Sequence, residues 1–503
     1  FAGRSDSKSR TNYGRGHFSA VFDPTPKHTA GFDIEYTERS THMPTLSRTT
    51  LGQTQSDSRY RQHMDGNTLT ATANYIWKID TLGSQFKLIA DYTRYTSDGD
   101  NSYHTTTCAP GTLRDSLYES ATGSVYDILT ADAGLTRKLP HGLTLRAGLR
   151  YTRNDMADKS RYAAQTQGTW LALPEYSYDQ HYTEQIGAAY ASLEYSAGRW
   201  ELSAGLRGEY TSVASQAFGR SYFGLFPNVS VSRALNALRT WLLVAQGSRN
   251  IERPAFPALN PARIRISDYS WQSGNPSLRP TYIHRFSLTA VWKYRYTLTV
   301  GGNLHHDLIR EIAHRDATAP DAVYIRPENH YTENHWFVAA SVPAKIPRWW
   351  NLSVNAVGVM QRIRLNSTDS PATHYLMFAD ATCSFTLPAG FFAEAVYRAQ
   401  SRLYSGNSEV GPRHTLSATV KKQLFGKRLT LFCTLSNITG CDWEFASLTD
   451  GMRRTIDTGQ AWSGRLWKVG AAWNFRTGKK FRARTVESAA ETQRKRLVKS
   501  TEQ

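Results

Sequence analysis

The chain has 503 residues, with 60 Lys and Arg against 42 Asp and Glu, for a formal net charge of +18. Its mean hydropathy is −0.50, and no run approaches the ~20 apolar residues of a membrane-spanning helix, which excludes a helical membrane protein. The basic residues are scattered over strand and loop positions. This disfavours a nucleic-acid interface and favours contact with anionic lipid headgroups or an anionic ligand.

Alternation of apolar and polar residues recurs along nearly the whole chain. In residues 143–152, Leu145 and Leu149 share one face of an extended strand, whereas Thr144 and Arg146 share the other. The same pattern marks residues 200–210, 296–307, 415–420 and 467–475. One such segment also suits a soluble sheet, but repeated segments of about ten alternating residues are typical of transmembrane β-barrels. We therefore predict an all-β fold, a transmembrane antiparallel barrel with about 19 strands present of about 22.

The connections between these segments alternate between short and long. Nine are short and turn-like, beginning near residues 23, 80, 138, 196, 234, 293, 344, 387 and 425. Others are long and polar, namely residues 96–123, 154–181, 252–280 and 438–462. Outer-membrane barrels have tight periplasmic turns and long extracellular loops, whereas a soluble sandwich has no reason to keep one end short. The asymmetry thus predicts short periplasmic turns and long extracellular loops.

Aromatic residues gather beside the short connections, where an interfacial girdle is expected. They are Trp200, Trp241, Trp292, Trp349, Trp350, Phe391 and Phe392. Two of the four cysteines, Cys383 and Cys433, fall on the lipid-facing phase and are interpreted as small apolar residues. A disulfide between Cys433 and Cys441 is conceivable but disfavoured.

Signals for catalysis are weak. His305, His306 and Asp307 resemble a metal cluster, but strand alternation sends His306 to the opposite face, and two ligands do not make a closed site. No G-x-S-x-G, H-E-x-x-H or P-loop spacing is present. We therefore expect no catalytic residue, no cofactor and no metal. A barrel-embedded hydrolase with residues dispersed over several strands is the weaker alternative.

One segment carries a specific motif. Residues 248–294 contain, in order and spacing, Arg253, Pro254, Asn260, Pro261, Gly274, Asn275 and Pro276. This segment resembles the central signature of the Bacteroidetes-type outer-membrane β-barrel family, whose members are related to TonB-dependent receptors. Outside it, the resemblance is one of pattern and covers essentially the whole chain.

The prolines of this segment restrict its backbone to extended or turn geometry. We expect a pre-set loop that folds back and shapes the barrel mouth, with direct ligand contact as the alternative. Arginine and aromatic side chains dominate recognition energetics, so they are the candidates for ligand contact. They are Arg249, Arg253, Arg263, Arg265, Tyr269 and Trp271.

The C-terminal strand is similar to the signal that the barrel assembly machinery recognises, a polar position at Gly470 followed by Trp473 and Phe475. We expect residues 1–475 to form the outer-membrane barrel domain. Residues 476–503 are then a basic periplasmic tail that is solvated or weakly helical, including the basic triplet at 494–496.

The family resemblance implies an integral protein of the Gram-negative outer membrane that takes up a scarce extracellular solute. Outer-membrane lipids, the assembly machinery and the TonB complex are the implied partners. A porin-like channel or a structural or adhesion barrel is the alternative, which barrel width disfavours because wide barrels of about 22 strands have a plugged lumen. Siderophore, haem, peptide, glycan and vitamin are all compatible as the solute.

The strand count generates one more expectation. Nine short turns and a final strand make about 19 strands, an odd number, although bacterial single-chain barrels are even. We expect about three further strands, a plug and a TonB-contacting segment to lie upstream of Phe1. On this view the strand near His17 to Phe22 and the strand near Trp467 to Phe475 should not pair with each other.

Overall fold

The computed structural model describes residues 2–216, 218–261, 263–267, 269–316, 322–345, 349–441, 443–449, 452–458, 464–475 and 486–497. Its strands are β1 (Ala2–Ser7), β2 (Arg10–Thr25), β3 (His28–Leu51), β4 (Thr54–Lys78), β5 (Gln85–Ala109), β6 (Thr112–Leu139), β7 (Leu143–Thr166), β8 (Thr169–Ala172), β9 (Tyr178–Ala197), β10 (Trp200–Ser215), β11 (Gly219–Ala234), β12 (Trp241–Glu252), β13 (Ile264–Ser267), β14 (Ser270–Gln272), β15 (Thr281–Trp292), β16 (Tyr296–Arg315), β17 (Val323–Lys345), β18 (Trp350–Arg364), β19 (Ala372–Leu387), β20 (Phe391–Gln400), β21 (Leu403–Ser405), β22 (Ser408–Val410), β23 (Arg413–Leu424), β24 (Leu429–Ser436), β25 (Trp443–Thr449), β26 (Met452–Thr458) and β27 (Leu466–Trp473).

Helical structure is confined to single turns in the described part of the chain. These are α1 (Phe256–Leu259), α2 (Glu491–Arg494) and 3-10 turns at Pro140–Gly142, Pro174–Tyr176, Pro388–Gly390 and Lys495–Leu497. None of these helices has the length and apolarity needed to cross a bilayer.

One sheet of 23 strands forms the wall of the molecule. Among the described residues, nineteen of its strands follow one another as antiparallel neighbours: β2, β3, β4, β5, β6, β7, β9, β10, β11, β12, β15, β16, β17, β18, β19, β20, β23, β24 and β27. Strand β1 extends the pairing of β2 along β3. The predicted antiparallel barrel of about 19 strands is confirmed.

The two faces of the wall carry the predicted residues. Leu149 and Leu206 point outward and expose 64% and 49% of their surface, as expected for side chains that meet lipid. Thr144, Thr152 and Thr211 point inward and are buried. The inner face borders the lumen and carries these polar residues. The outer face is apolar and meets lipid.

The short connections join neighbouring strands as predicted, except that residues 346–348 of the seventh lie outside the described residues. The turn at Pro140–Gly142 shows why its sequence matters. Gly142 has a φ of 75°, and a Cβ there would lie 2.4 Å from the carbonyl oxygen of Ser196. Only glycine fits such a conformation and such an approach without strain.

Two of the predicted long loops are wrong. Residues 96–123 belong to β5 and β6, which meet at a tight turn after Ala109, and much of residues 154–181 belongs to β7, β8 and β9. Threonine, serine and tyrosine keep the alternation and form cross-strand contacts there, such as the rings of Tyr60 and Tyr103 at 5.4 Å. Part of residues 438–462 forms β25 and β26, which join β21 and β22 in a second, four-stranded sheet.

The two edges of the wall do not pair with each other in the described residues. Strand β2 pairs with β3, and β27 pairs with β24. The prediction that the strands near His17 and Trp467 are not hydrogen-bonded to each other is confirmed. The final strand ends at Trp473 rather than at Phe475, and the ring of Phe432 lies over Gly470.

The assignment of faces predicts unequal effects of arginine on β10. Leu206→Arg should impair assembly, because an arginine at the bilayer midplane on the lipid face costs about 2–4 kcal/mol. Ser203→Arg places the same charge on the lumen face and should be much milder. Heat-modifiable mobility on gels measures the folded fraction. Equal loss of folding in both variants would show that the faces are assigned wrongly.

Candidate functional site: the lumen and its inward-folded loop

Residues 253–280, here called the signature loop, connect β12 to β15. These two strands are direct neighbours in the wall, so the loop has no distance to bridge and is free to fold over the lumen. Its apolar side chains Phe256, Leu259 and Leu278 expose 2% of their surface or less. The loop therefore packs inside the barrel.

The loop packs against the inner face of β6, β7, β9 and β10. Its three apolar residues form one cluster with Tyr126, Ile128, Met156, Tyr182 and Val213 of β6, β7, β9 and β10. The rings of Tyr126 and Phe256 meet edge to face at 5.7 Å. Burial of each large apolar side chain contributes about 1.5–3 kcal/mol, so this cluster supplies the main force that holds the loop in the lumen.

The motif residues join the two halves of the loop. The backbone N–H of Gly274 donates to the carbonyl of Asn260 at 2.9 Å, and that of Asn275 donates to the carbonyl of Ala258 at 2.7 Å. A Cβ on Gly274 would lie 2.1 Å from the Asn260 oxygen. The side chain of Asn275 donates to the carbonyl of Pro327 at 3.0 Å. We call the two backbone hydrogen bonds of Gly274 and Asn275 the clasp; the side chain of Asn275 attaches it to β17.

Arg253 forms a buried charge cluster with two carboxylates on the barrel wall. Its guanidinium donates to Glu209 at 2.7 Å and to the hydroxyl of Thr211 at 2.9 Å, and it lies 3.8 Å from Glu184. The side chain is only 10% exposed. Burial lowers the pKa of Arg253, but the carboxylates of Glu184 and Glu209 outweigh it and raise the pKa above its ordinary value. Arg253 therefore fixes the start of the loop and is not available as a free cation.

Residues 486–497, here called the C-terminal segment, reach the same cluster. Arg496 donates to Glu184 at 2.5 Å and to the carbonyl of Pro254 at 3.0 Å, and its guanidinium lies 4.2 Å from the ring of Phe256. The expectation of a solvated basic end is wrong for Arg496, which is buried. It holds for Lys495, whose side chain is 74% exposed. The division into a barrel and a tail at residue 475 stays a prediction.

The other candidate ligand residues fall into two places. Arg249 lies against the rings of Phe226 and Tyr282, at 5.7 and 5.0 Å from their centroids. Arg263 lies over Tyr176 at 5.1 Å and Trp271 at 5.9 Å, with Asp316 at 4.0 Å.

The remaining two candidates contribute backbone contacts. Arg265 pairs with Trp271 through its backbone, whereas its side chain lies outside the described residues. The carbonyl of Tyr269 accepts a hydrogen bond from Val323 at 2.9 Å. Which of these residues contact a ligand stays a prediction.

Sequence reasoning missed Tyr176, Glu184 and Glu209. The two glutamates lie on the inward phase of β9 and β10, where a carboxylate flanked by inward apolar residues such as Tyr182 and Val213 requires a cationic partner. The alternation along the strands predicts that both glutamates point inward. It does not predict their cationic partners, because Arg253 and Arg496 are far from both glutamates in the chain.

A cavity of about 410 Å³ lies between the signature loop and strands β16 and β17. Its polar lining includes Gln272, whose amide donates to Glu311 at 2.7 Å, and Arg310, which donates to the buried carboxylate of Glu333 at 2.9 Å. Arg310 is thus paired with a carboxylate and Glu311 accepts from a neutral amide, so the cavity has a lining of mixed polarity.

The segment His305 to Asp307 has an irregular backbone at Asp307, whose φ is 57°. The register stays the same on either side, with His306 opposite Thr332 and Leu308 opposite His330. His306 exposes 52% of its side chain and Asp307 only 10%, as expected for opposite faces, although the two side chains approach to 3.6 Å.

Asp307 has a structural partner. Arg279 at the end of the signature loop donates to Asp307 at 2.6 Å. Within the described residues, no group of three or more His, Cys, Asp or Glu side chains is arranged to hold a metal ion. The ion pair of Arg279 with Asp307 fastens the loop to β16.

The family model described as the outer membrane protein beta-barrel family matches residues 77–471. The chain belongs to this family. The predicted family and the predicted location in the outer membrane, as an integral protein, are confirmed. The comparison with curated proteins finds no match.

The fold is similar to that of two solved structures. The ferric-catecholate import receptor Fiu from E. coli K12 is 9% identical, with a TM-score of 0.58 over 94% of this chain and 81% of that chain. The structure of the FpvAI–pyocin S2 complex contains a chain that is 11% identical, with a TM-score of 0.53 over 94% of this chain and 72% of that one. These likenesses show a shared fold.

The clasp predicts that Gly274→Ala destabilises the signature loop. The added methyl group would overlap the carbonyl oxygens of Asn260 and Ala258, and such overpacking costs about 1–3 kcal/mol or more. Gly247→Ala on β12 meets nothing within 4 Å and serves as the control. Limited proteolysis of the folded protein should cut the loop faster only in the Gly274 variant. Equal protection of both variants would contradict the clasp.

The charge cluster predicts a larger cost for Arg253→Ala than for the loss of an exposed pair. The substitution removes one of the two guanidinium partners of Glu209 and leaves Arg207 at 2.5 Å, so we expect the cost of a charge-assisted hydrogen bond, about 1.5–3 kcal/mol. Arg153 pairs with Asp155 at 2.7 Å while 49% exposed, so Arg153→Ala should cost about 0–1 kcal/mol. Unfolding of the two variants in detergent with increasing denaturant measures the difference. A similar loss in both would mean that the cluster contributes little.

Proposed function

We propose that this protein is an outer-membrane receptor that imports a scarce extracellular solute with energy from the TonB complex. The observation that carries the proposal is the signature loop, which occupies the lumen with an apolar cluster and buried ion pairs. A passive channel requires an open aqueous path, and this inner face is built to hold a folded segment instead. The fold shared with Fiu, which is described as an import receptor, supports the same conclusion.

The patch formed by Arg263, Tyr176 and Trp271 is the best candidate for solute contact. Arg263 is 38% exposed, so its guanidinium is accessible in a way that Arg253 is not. Two aromatic faces beside one cation suit a solute that carries both negative charge and flat rings. A ferric catecholate has this chemistry, and the net charge of +18 favours the approach of any anion.

Uptake in cells tests the energy coupling. Cells that express the protein should accumulate a radiolabelled iron–catecholate chelate, and the accumulation should disappear in an otherwise identical strain that lacks TonB. Purified protein in planar bilayers should show little steady conductance. Uptake independent of TonB, together with large stable channels, would favour a passive porin instead.

Binding to the purified protein tests the patch. Arg263→Ala should weaken binding of the chelate by about tenfold or more, because a charge-assisted contact contributes about 1.5–3 kcal/mol. Arg295→Ala, in the short turn at the other end of the barrel, is the control and should bind normally. A panel with haem, a glycan and a peptide determines whether the patch is selective. Unchanged chelate binding by Arg263→Ala would remove the patch from the proposal.

A further inference from the structure

A groove of about 860 Å³ crosses the outer face of the wall from β15 to β19. Outward side chains line its sides, among them Trp336, Val338 and Met377, which expose 44%, 53% and 58% of their surface. Its floor includes Gly358 of β18, where a Cβ would meet nothing within 4 Å. The glycine therefore leaves a space on the lipid-facing side of the wall that none of the described side chains fills.

The outward face of β18 changes character towards its extracellular end. Its outward residues are apolar from Trp350 to Met360, and the next two are Arg362 and Arg364. The register fixes this face, because Met360 lies opposite the exposed Trp336. A tilted strand crosses the apolar band of such a barrel in about ten residues. Since Trp350 lies beside a short periplasmic connection, the two arginines lie at the level of the extracellular headgroups.

Arg362 and Arg364 supply positive charge at the extracellular end of the groove. Arg362 is exposed and Arg364 is half-buried, and within the described part of the chain neither side chain has a hydrogen-bond or ion-pair partner. The residues opposite them on the neighbouring strands are uncharged, namely Thr332, Asn334 and Thr373. A guanidinium group binds phosphate oxygens through two parallel hydrogen bonds. The pair is thus suited to a phosphate group that lies above the groove.

A second groove, of about 910 Å³, lies on the outer face over β5 to β11 and provides a comparison. Gly187 of β9 lies in it, and a Cβ there would also meet nothing within 4 Å. Towards the extracellular end of this groove, Arg153 of β7 is paired with Asp155 at 2.7 Å. The two grooves are therefore similar in size and apolar character, but they differ in the positive charge that is left for a ligand.

We propose that the groove at Gly358 and the two arginines form a binding site for an anionic outer-membrane lipid with a phosphate headgroup. One acyl chain lies in the groove against Trp336 and Met377, and the phosphate lies beside Arg362 and Arg364. Arg362 is four residues from Gly358, about 13 Å along the strand, so one lipid molecule reaches both parts of the site. The site faces the membrane and does not depend on the imported solute or on energy coupling.

Native mass spectrometry of the folded full-length protein tests the headgroup. The protein is offered equal amounts of dioleoyl phosphatidic acid and of dioleoyl phosphatidylcholine, whose phosphate is balanced by choline, and the bound copies of each are counted. The parent protein should prefer phosphatidic acid by about fivefold or more, since one basic residue beside an anionic lipid contributes about that factor. Arg362→Gln combined with Arg364→Gln should abolish the preference, whereas Arg153→Gln should preserve it. No preference in the parent, or an unchanged preference in the double variant, would overturn the proposal.

Filling the groove tests the acyl chain. Gly358→Leu places an apolar side chain in the groove on the lipid-facing side, so it should lower the retention of phosphatidic acid several-fold while the barrel folds normally. Gly187→Leu fills the second groove and should leave the retention unchanged. Heat-modifiable mobility verifies that both variants are folded. Equal retention of phosphatidic acid by the two variants would show that the groove at Gly358 takes no part, and would overturn the proposal.

Two other outcomes of the same measurement identify different occupants. Displacement of phosphatidic acid by an equal concentration of inorganic phosphate would show a simple anion site. A dimer that persists when lipid is added would show that a second copy of the chain covers the groove. Either result would overturn the proposal. Failure of chelate uptake would contradict the proposed function alone, because the lipid site takes no part in import.

Discussion

Every backbone N–H and C=O within a bilayer must find a partner inside the protein, because lipid offers none. The wall meets this demand through an antiparallel ladder in which each strand pairs with the next along the chain. Since side chains alternate along such a strand, the ladder also separates an outer face for lipid from an inner face for the lumen. The outward leucines of β7 and β10 and the buried inward threonines are consequences of that one requirement.

A wide wall creates a second problem, because its inner face surrounds more space than strand side chains can fill. The signature loop addresses this by folding inward between adjacent strands β12 and β15. Its apolar residues cover Tyr126 and Val213, and its Arg253 adds a cation beside the buried carboxylates of Glu209 and Glu184. The loop thereby fills part of the lumen. It also places Arg263 and Trp271 in one patch with Tyr176.

Glu184 is the point where three parts of the chain meet. It belongs to the wall, pairs with Arg496 of the C-terminal segment and lies near Arg253 of the signature loop. Buried charges of this kind contribute little net stability, but they strongly penalise any arrangement that leaves one member unpaired. The loop and the C-terminal segment are thus coupled, and a change in one affects the other through a single carboxylate.

Much of the fold could be read from local pattern. Alternation and turn chemistry depend on neighbours in the chain, which is why the strands, their faces and the short turns were predictable. The extent of β5 and β6 was not, since residues 96–123 are polar enough for a loop and become strand only because they pair with each other. The partner of Asp307 was not predictable either, because Arg279 reaches it from another segment.

The sequence by itself determined an outer-membrane barrel, the phase of its strands and a proline-rich segment with a glycine–asparagine motif. Only the tertiary structure decided that this segment packs inside the lumen, that Arg253 pairs with Glu209, and that Arg496 is buried against Glu184. The physical reason is distance along the chain. Periodicity indicates which face each residue lies on, whereas ion pairs and apolar clusters between residues hundreds of positions apart depend on how the folded wall brings them together.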